Sequence, residues 1–382
     1  MKIKIIGAGF AGLSSAILLS KIDNVEVEIF EKFEKVKPLG AGIVLQPSVI
    51  NVLEEMNLLD LTKIFSEEIY KIIGKNIKGK EIFSTYYNNE CGLAINRSSF
   101  FDEMYSKIQK ENIKLNLNNE ISEKDIELLK KSNDLVIIAN GSKSILNKIF
   151  DCKINNKYPF GCLWGMTKND NFSINQLSQY MNGSKEMFGI LPSGKINKER
   201  ILSVFWSIDL KKFNKIEDEI LKLERYNHLI DDNLYEDICK INFSIAEYKD
   251  IVLKDYNKEN ILVIGDAAHS MSPQLGQGAN MALLDSYLLY ILLKTKNKEE
   301  NIKEILAKYT KIRKEHLYFY SNASRFLTPL FQSNNNINGI QRDLIFSLLG
   351  KTKYVQWMNS TILRGTRQSW LTDKRINYDF FK

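Results

Sequence analysis

The sequence predicts an α/β protein with a parallel sheet, an inserted antiparallel sheet and helices in its C-terminal part. The chain opens on a strand, a helix and a second strand, at Lys2–Ile6, Leu13–Ile22 and Val25–Phe30. Continuous apolar runs of the buried parallel type then recur far apart, at Asp134–Ala139 and Ile261–Ile264. Between them the pattern becomes shorter and richer in aromatic residues, which favours an inserted antiparallel domain.

The remaining elements follow in an order that supports this division. Pro47 starts a helix whose apolar residues share one face, and Arg97 precedes an amphipathic helix over Phe100–Gln109. Aromatic-rich strand patterns occupy the middle of the chain, at Gly161–Met166, Met187–Leu191 and Ile201–Ile208. After Gly278 the pattern is helical, with one polar break at Ser333–Asn338.

A chain of 382 residues is too long for one hydrophobic core, so we expect several regions. A discontinuous Rossmann-like cofactor domain is predicted for residues 1–75, 96–150 and 251–300. An antiparallel-sheet substrate domain is predicted for residues 76–95 and 151–250. Residues 301–382 are predicted to form a C-terminal helical region.

The composition argues against several classes of protein. The net charge is +7, but only nine of the 53 basic residues are Arg and the lysines are scattered, whereas a nucleic-acid binder concentrates its charge. The four cysteines, Cys91, Cys152, Cys162 and Cys239, have no disulfide-framework or zinc spacing. We find no leader pattern after Met1 and no run of about 20 apolar residues. We therefore expect a cytoplasmic protein without a transmembrane segment.

The first motif that carries chemistry is Gly7-Ala8-Gly9-Phe10-Ala11-Gly12, placed between the first strand and the first helix. Its glycines allow a tight turn, close approach of the backbone to a pyrophosphate, and close packing of the helix on the strand. Glu31 follows 19 residues after Gly12 at the end of the second strand, where a carboxylate holds ribose hydroxyls. The motif predicts a dinucleotide with an unphosphorylated ribose, bound by Gly7, Gly9, Ala11, Gly12, Glu31 and Lys32.

The second motif begins with Gly265-Asp266-Ala267-Ala268-His269 and continues through Pro273 to Gly276-Gln277-Gly278-Ala279-Asn280. Asp266, at the carboxyl end of a strand, is suited to accept a hydrogen bond from a ribityl hydroxyl. Gly276 and Gly278 expose backbone N–H groups at a helix N-terminus, which stabilises negative charge on the N1–C2=O edge of a reduced flavin. This motif favours FAD over NAD.

With these residues the chain resembles the FAD-dependent monooxygenases of the para-hydroxybenzoate hydroxylase fold, the group A flavoprotein monooxygenases. The glycine fingerprint, an Asn140-Gly141 pair in place of the family's Asp-Gly, and the segment from Gly265 to Asn280 occur in the family's order. Arg97 matches an Arg beside the FAD, and the segment containing Gly42 resembles the one beside the isoalloxazine. The resemblance implies cofactor contacts from Gly42, Arg97, Asp266, Pro273, Gly276, Gln277, Gly278, Ala279 and Asn280.

The chain departs from the family at two positions. Asn140 replaces the usual Asp, and Asn147 stands where an Arg usually follows. Both lost charges belong to the expected path of the pyrophosphate and the nicotinamide. We therefore expect the departure to affect reduction of the flavin by a nicotinamide rather than FAD binding.

The resemblance implies that NADPH or NADH reduces FAD, that O2 adds at flavin C4a, and that the hydroperoxide transfers one oxygen atom to an aromatic or polycyclic small molecule. No catalytic side chain and no metal site are expected, because the cofactor carries the chemistry. Two alternatives remain open, an FAD-dependent reductase of an isoprenoid-type substrate and a non-catalytic FAD-binding protein.

Other side chains have two possible interpretations. Phe188, Phe205 and Met166 are predicted to line a substrate pocket, although half of any such set faces a sheet core. His269 is interpreted as a packed, hydrogen-bonded residue rather than a base. The apolar run Leu344–Leu349 is interpreted as a helix that closes a core rather than as a docking surface.

Overall fold

The computed structural model describes residues 1–35, 40–168 and 175–376, and for Asn147 only the backbone. The strands are β1 (Lys2–Ile6), β2 (Glu26–Phe30), β3 (Gly42–Leu45), β4 (Glu67–Ile69), β5 (Lys71–Asn76), β6 (Glu81–Tyr86), β7 (Gly92–Asn96), β8 (Lys114–Asn116), β9 (Leu135–Ile138), β10 (Cys152–Lys168), β11 (Gln176–Asn182), β12 (Glu186–Ile196), β13 (Glu199–Asp209), β14 (Ser244–Leu253), β15 (Asn257–Lys258) and β16 (Ile261–Val263).

The α-helices are α1 (Phe10–Leu19), α2 (Ile50–Glu55), α3 (Leu59–Phe65), α4 (Arg97–Lys110), α5 (Glu123–Ser132), α6 (Ile216–Lys222), α7 (Asp232–Cys239), α8 (Asp266–His269), α9 (Gly278–Lys294), α10 (Ile302–Phe331), α11 (Asn336–Leu349) and α12 (Lys353–Leu363). Short 3₁₀ turns lie at Pro47–Val49, Leu146–Ile149, Leu223–Leu229 and Pro273–Leu275. None of the helices in the described ranges is long and apolar enough to cross a membrane.

The first sheet has the order β15-β16-β9-β1-β2-β8, and all its strands except the edge strand β15 are parallel. The central strands β9 and β16 are wholly apolar and buried, as expected for strands of a parallel sheet covered on both faces, and β1 adds the buried Ile3, Ile5 and Ile6. In α1, the small residues Ser14 and Ser15 hydrogen-bond to Ser286 of α9, each 2.8 Å between hydroxyl oxygens, so the two helices approach closely. The α/β fold class with its Rossmann-like parallel sheet is confirmed.

The second sheet has seven strands in the order β14-β10-β13-β12-β11-β5-β6 and is antiparallel except where β11 pairs with β5. Strand β5 spans Lys71–Asn76, so the predicted boundary between the cofactor domain and the substrate domain, at residues 75 and 76, cuts through a strand of this sheet. Strand β7 belongs instead to a small sheet with β3 and β4 that links the two larger sheets.

The two faces of the second sheet have different neighbours. Phe188 pairs with Trp206 across β12 and β13, and both rings pack on Tyr226 in a buried cluster under α6 and α7. The next pair, Gly189 and Phe205, points to the opposite face, toward the first sheet and the C-terminal helices. One face is therefore a core and the other borders a cleft.

Candidate active site

The turn between β1 and α1 requires glycine at two positions. Gly7 has φ +105°, and an added Cβ would lie 2.6 Å from the carbonyl oxygen of Ala139. At Gly12 an added Cβ would lie 1.9 Å from the carbonyl oxygen of Gly7, so a side chain would push α1 away from β1. At Gly9 a Cβ would meet nothing within 4 Å, which leaves the helix N-terminus open to an anion.

Glu31 lies at the carboxyl end of β2 with only 8% of its surface exposed. Its carboxylate accepts hydrogen bonds from the backbone N–H groups of Ala8 at 2.8 Å and Phe33 at 3.2 Å. These contacts fix the side chain against the glycine turn. Because a carboxylate has about four acceptor positions, it retains capacity for hydroxyl donors.

A second turn lies beside the first at the same edge of the parallel sheet, since an added Cβ on Gly265 would lie 3.0 Å from Cβ of Ala11. Gly265 follows β16 with φ +62°, and its N–H donates to the buried carboxylate of Asp285 at 2.7 Å. Asp285 also accepts from Nε2 of His269 at 2.6 Å, which holds the 265–269 turn from both ends. His269 is 3% exposed, so its interpretation as a packed, hydrogen-bonded residue agrees with the structure. The adjacent Asp266 points outward into the cleft.

Gly276 and Gly278 lie where the chain turns into α9. Gly276 adopts the left-handed conformation, with φ +61°, and an added Cβ there would meet nothing within 4 Å. Gly278 begins the 17-residue helix α9. The positive end of the helix dipole is thus directed at the cleft beside Asp266.

Arg97 begins α4 and borders the same cleft. Its guanidinium lies 4.9 Å from the centroid of the Phe10 ring. Burial lowers the pKa of Arg97, and the carboxylate of Asp266 opposes that shift. An added Cβ on Gly40 would lie 2.7 Å from Cδ of Arg97, so this glycine lets the arginine approach the backbone.

These elements enclose one continuous cleft of about 1280 Å³ between the two large sheets. Its first end is formed by the turns after the parallel strands, and its polar groups come from Glu31, Arg97, Asn140, Lys143 and Asp266. Its second end is formed by the antiparallel sheet and the C-terminal helices, and it is largely apolar. The cleft exceeds the ~300–1,000 Å³ of ordinary small-molecule pockets, so it has room for a large cofactor and a second ligand.

The sequence matches the family described as FAD binding domain over residues 127–318, just over half of the chain. The chain belongs to this FAD-binding family. Residues 5–36 match a second family, described as NAD(P)-binding Rossmann-like domain.

This FAD-binding chain has relatives of similar length. FAD-dependent monooxygenase ausM of Penicillium brasilianum is 23% identical over 412 residues, covering 92% of this chain and 83% of the relative. The 2-heptyl-3-hydroxy-4(1H)-quinolone synthase of Pseudomonas aeruginosa is 22% identical over 312 residues, covering 76% of this chain and 80% of the relative. Klebsiella pneumoniae HpxO, solved with FAD and uric acid, has the same fold, with a TM-score of 0.77, 16% identity, and 96% and 97% of the two chains covered.

These matches confirm the predicted FAD cofactor and the resemblance to FAD-dependent monooxygenases. The residues present also fit FAD. The Oδ1 atom of Asn140 is buried beside the cleft and has no hydrogen-bond partner among the described residues. At Gly9, Gly141 and Gly276 an added side chain would enter open space, which leaves the backbone accessible to a ligand.

Most of the predicted cofactor residues border the flavin cleft. They are Gly7, Gly9, Ala11, Glu31, Lys32, Gly42, Arg97, Asp266, Pro273, Gly276, Gly278 and Ala279. Gly12 lies behind the turn and acts through helix packing. The C-terminal part of the segment from Pro273 to Asn280 contains two exceptions.

Gln277 and Asn280 do not direct their side chains into the cleft. Gln277 is 1% exposed and donates from Nε2 to the carbonyl oxygens of Ile362 and Leu363. Asn280 accepts from the N–H of Gln46 at 2.8 Å and donates to the carbonyl oxygen of Val44 at 3.0 Å. These side chains brace α9 against α12 and β3, so any cofactor contact by Gln277 or Asn280 would have to come from the backbone, and for these two residues it stays a prediction.

Two of the three predicted substrate residues are wrong. Phe188 is fully buried in the cluster on the far face of the antiparallel sheet. Met166 is on the near face but beyond the cleft, where its sulfur accepts from the side chain of Asn96. Phe205 does line the apolar end, opposite Trp164 of β10. Strand alternation explains the split, because Phe188 and Phe205 point to opposite faces.

The sequence analysis missed the part of the cleft wall that the C-terminal helices provide. Its members are apolar or aromatic and come from α10, α11, α12 and the segment after them: Phe326, Leu327, Phe331, Ile345, Phe346, Leu349, Met358 and Trp370. Apolar residues on a helix are ordinarily core residues, so their pattern could not indicate a ligand.

Proposed function

We propose that this flavoprotein hydroxylates an apolar aromatic or polycyclic small molecule, with NAD(P)H as the reductant and O2 as the oxygen source. The observation that carries the proposal is the continuity of the cleft. Its polar end suits a dinucleotide and its apolar end suits an aromatic ligand, within one volume of about 1280 Å³. The reaction balances as substrate, O2, NAD(P)H and H⁺ giving hydroxylated substrate, water and NAD(P)⁺.

The polar end offers groups for the ribose, the pyrophosphate, the ribityl chain and the reduced ring system of FAD. Glu31 would accept from the ribose hydroxyls, and the open backbone around Gly9 would receive the pyrophosphate. Asp266 would accept from a ribityl hydroxyl. The N-terminus of α9 would stabilise negative charge on the ring system of the reduced cofactor. When bound and reduced, FAD supplies the activation of O2 that no side chain can provide.

The apolar end would exclude water and orient the substrate. Trp164, Leu191 and Phe205 provide flat or branched apolar walls. Tyr248 and Cys162 lie together in the same wall. Burial raises the pKa of the Cys162 thiol to about 11, and burial with the neighbouring Cys162 raises the pKa of Tyr248 well above its usual value. Both groups therefore stay protonated at neutral pH, and the Tyr248 hydroxyl is suited to hydrogen-bond a polar substituent of the substrate.

The names of two similar proteins fit this substrate class. One relative is named for a heptylquinolone, and HpxO was solved with uric acid. Both compounds are bicyclic heteroaromatics. We infer that a ring system of this size occupies the apolar end.

The proposal is tested by purifying the protein with FAD and measuring anaerobic bleaching of its flavin band by NADPH and by NADH. The panel of compounds should include bicyclic heteroaromatics and simple phenols. We expect bleaching to accelerate with the right compound, and in air the product should gain one oxygen atom from ¹⁸O₂. A product that gains two hydrogens instead would identify a reductase. Bleaching by dithionite but by neither nicotinamide would favour a non-catalytic FAD-binding protein.

The cytoplasmic location is part of the proposal. It is supported by the four cysteines, each of which is a free thiol in the structure.

A further inference from the structure

Helix α11 carries an apolar stripe that no other part of the described chain covers. Its members are spaced by three or four residues and are more than half exposed: Ile337 (58%), Ile340 (68%), Leu344 (59%) and Leu348 (66%). The opposite side of the helix packs inward through Gly339, Arg342 and Phe346. The expectation that the run from Leu344 to Leu349 closes a core is therefore wrong for Leu344 and Leu348. We refer to the four exposed residues as the α11 stripe.

The stripe adjoins the mouth of the flavin cleft. Ile345 and Leu349 lie one step around the helix from the stripe, are about half exposed, and also line the cleft. Phe326 of α10, which is 66% exposed, and Trp370, which is 39% exposed, also line the cleft, and their rings contact each other. Residues that line the cleft and are also exposed to solvent lie at its mouth. The mouth of the cleft is therefore surrounded by apolar side chains beside the stripe.

The charged residues that follow the C-terminal end of the stripe are positive. Lys351 and Lys353 follow α11 directly and are exposed. The carboxylate on α11, Asp343, accepts from Nε and Nη2 of the buried Arg342, so its charge is compensated within the helix. An apolar face with exposed lysines at its end has the chemistry of a surface that rests on anionic lipid.

We propose that the α11 stripe docks this protein on an anionic lipid bilayer, with the mouth of the cleft facing the lipid. Trp370 at the rim supports this orientation, together with the exposed Tyr354, whose hydroxyl donates to the carbonyl oxygen of Trp370, because Trp and Tyr favour the level of lipid headgroups. A second copy of the chain is the alternative occupant of this face, and the test below distinguishes it through the oligomeric state.

The docking has a consequence that rests on the proposed function. An apolar aromatic substrate dissolved in the bilayer would reach the flavin cleft without crossing water. Docking itself requires no turnover, so a vesicle experiment tests it separately from the hydroxylation.

The test is co-sedimentation of the full chain with FAD, using vesicles of phosphatidylcholine and vesicles that also contain phosphatidylglycerol. We expect binding to the anionic vesicles that weakens with salt. The variant Ile340→Ser/Leu344→Ser/Leu348→Ser should partition at least about tenfold less, because three exposed apolar side chains are lost. The variant Lys351→Glu/Lys353→Glu should lose the preference for anionic vesicles while its stripe remains intact.

The matched controls are Leu128→Ser and Leu221→Ser, which remove equally exposed leucines from α5 and α6. They should bind like the parent. FAD content and thermal midpoint show whether each variant is folded, and Leu344→Ser alone replaces the triple variant if that variant is not. Equal partitioning of the parent and the stripe variant would overturn the proposal. So would a dimer that the stripe variant abolishes, or a large gain in binding on removal of residues 377–382, since the face would then have another occupant.

Discussion

At the scale of single residues, the two carboxylates at the polar end of the cleft, Glu31 and Asp266, have different surroundings. Glu31 is buried and receives two backbone N–H groups, so it is part of the glycine turn as well as a candidate ribose acceptor. Asp266 points into the cleft, near Arg97. Replacing Glu31 would therefore disturb the turn, whereas replacing Asp266 would isolate the contact with the ligand.

We expect Asp266→Ala to weaken FAD binding by roughly tenfold to a hundredfold, because hydrogen bonds to charged groups contribute ~1.5–3 kcal/mol. Titration of the apoprotein with FAD by calorimetry gives the dissociation constant. Asp255→Ala is the control, since Asp255 is paired only at the surface with Lys314. An unchanged affinity for Asp266→Ala would place the ribityl contact elsewhere.

Asn140 is the residue where this chain differs from the family it resembles. Its buried Oδ1 has no partner among the described residues, which is a cost unless a ligand supplies a donor. We expect Asn140→Asp to keep FAD but to change the rate of anaerobic bleaching by NADPH or NADH, because a negative charge is added beside the cleft. If only Asn140→Asp is reduced by a nicotinamide, the parent uses another electron donor.

The motifs predicted which residues form the turns beside the cleft, because their glycines have no substitute in a tight turn or at a close approach. Gly7 and Gly12 could be assigned in this way from spacing alone. The motif could not separate Gly278, which borders the cleft, from Gln277 and Asn280, which turn away from it. The direction of those side chains depends on contacts with β3 and α12, which are distant in the sequence.

At the scale of elements, the strand β13 and its neighbour β12 divide the antiparallel sheet into a core face and a cleft face. The sequence predicted these strands but not which residues face the cleft, because that depends on register and on the helices α6 and α7 that cover one face. The contrast between Phe188 and Phe205 tests the assignment.

We expect Phe188→Ala to lower the free energy of unfolding by about 3–5 kcal/mol, because it leaves a cavity among Tyr180, Trp206 and Tyr226. Phe205→Ala should cost clearly less, since its ring borders a cleft that is already open. Urea denaturation of both variants measures the difference. Equal losses would contradict the division of the sheet into two faces.

Helix α4 contains a buried carboxylate, Glu103, which is 6% exposed. Its Oε2 accepts from the hydroxyl of Thr62 at 2.8 Å, and its Oε1 has no hydrogen-bond partner in the described part of the chain. Burial raises the pKa of Glu103 to about 7, partly offset by that hydrogen bond. The folded state therefore holds this proton at pH values where the unfolded state has released it.

From this shift we expect stability to fall as the pH rises from about 4.5 to about 7. Glu103→Gln keeps an acceptor for Thr62 and cannot ionise, so it should remove this part of the pH dependence and stabilise the protein by about 1–3 kcal/mol at pH 8. Denaturation curves for parent and variant at pH 5 and pH 8 give the comparison. The quantity to compare is the stability of the variant minus that of the parent. If this difference is the same at pH 8 and at pH 5, Glu103 ionises freely and the prediction is wrong.

At the scale of the whole molecule, a buried polar network joins the flavin cleft to the C-terminal region. Asp285 of α9 accepts from Gly265, from His269 and from Nε of Arg313 on α10, the last at 2.7 Å. Arg313 donates to Nδ1 of His316, whose Nε2 then donates to the carbonyl oxygen of Gly365. Burial lowers the pKa of His316 well below its usual value, so the ring is neutral and has this tautomer.

In the sequence, Asp285, Arg313 and His316 look like ordinary helical residues. A helical pattern does not reveal that Asp285 and Arg313, 28 residues apart on separate helices, form a hydrogen bond. The three-part organisation could be predicted from periodicity. The hydrogen-bond network that connects the parts could not be predicted, since it consists of single side chains on separate helices. This network holds the turn that carries Asp266, so it connects the stability of the C-terminal region with the geometry of the polar end of the cleft.

Replacing Asp285 should lower both the free energy of unfolding and the affinity for FAD. Burial alone would raise the pKa of its carboxyl group, but His269, Arg313 and the N–H of Gly265 lower the pKa to about 2. We expect Asp285→Asn to cost about 3–5 kcal/mol at pH 7, because Arg313 loses its buried counter-charge. The variant should also bind FAD less tightly, since the 265–269 turn loses its anchor. Asp255→Asn is the matched control, as its pair with Lys314 on α10 is exposed and contributes at most about 1 kcal/mol.

The pH dependence of the same variant distinguishes the charge from the shape of the side chain. Because the folded-state pKa of Asp285 lies below its usual value, its stabilisation is present above about pH 4 and is lost as the pH falls toward 2. The difference in unfolding free energy between parent and Asp285→Asn should therefore shrink across that interval, and urea titrations at pH 7, 4 and 3 measure it. A difference that stays constant would mean that the substitution acts through packing. A variant that loses stability but keeps full FAD affinity would show that the network stabilises the fold without determining the geometry of the FAD site.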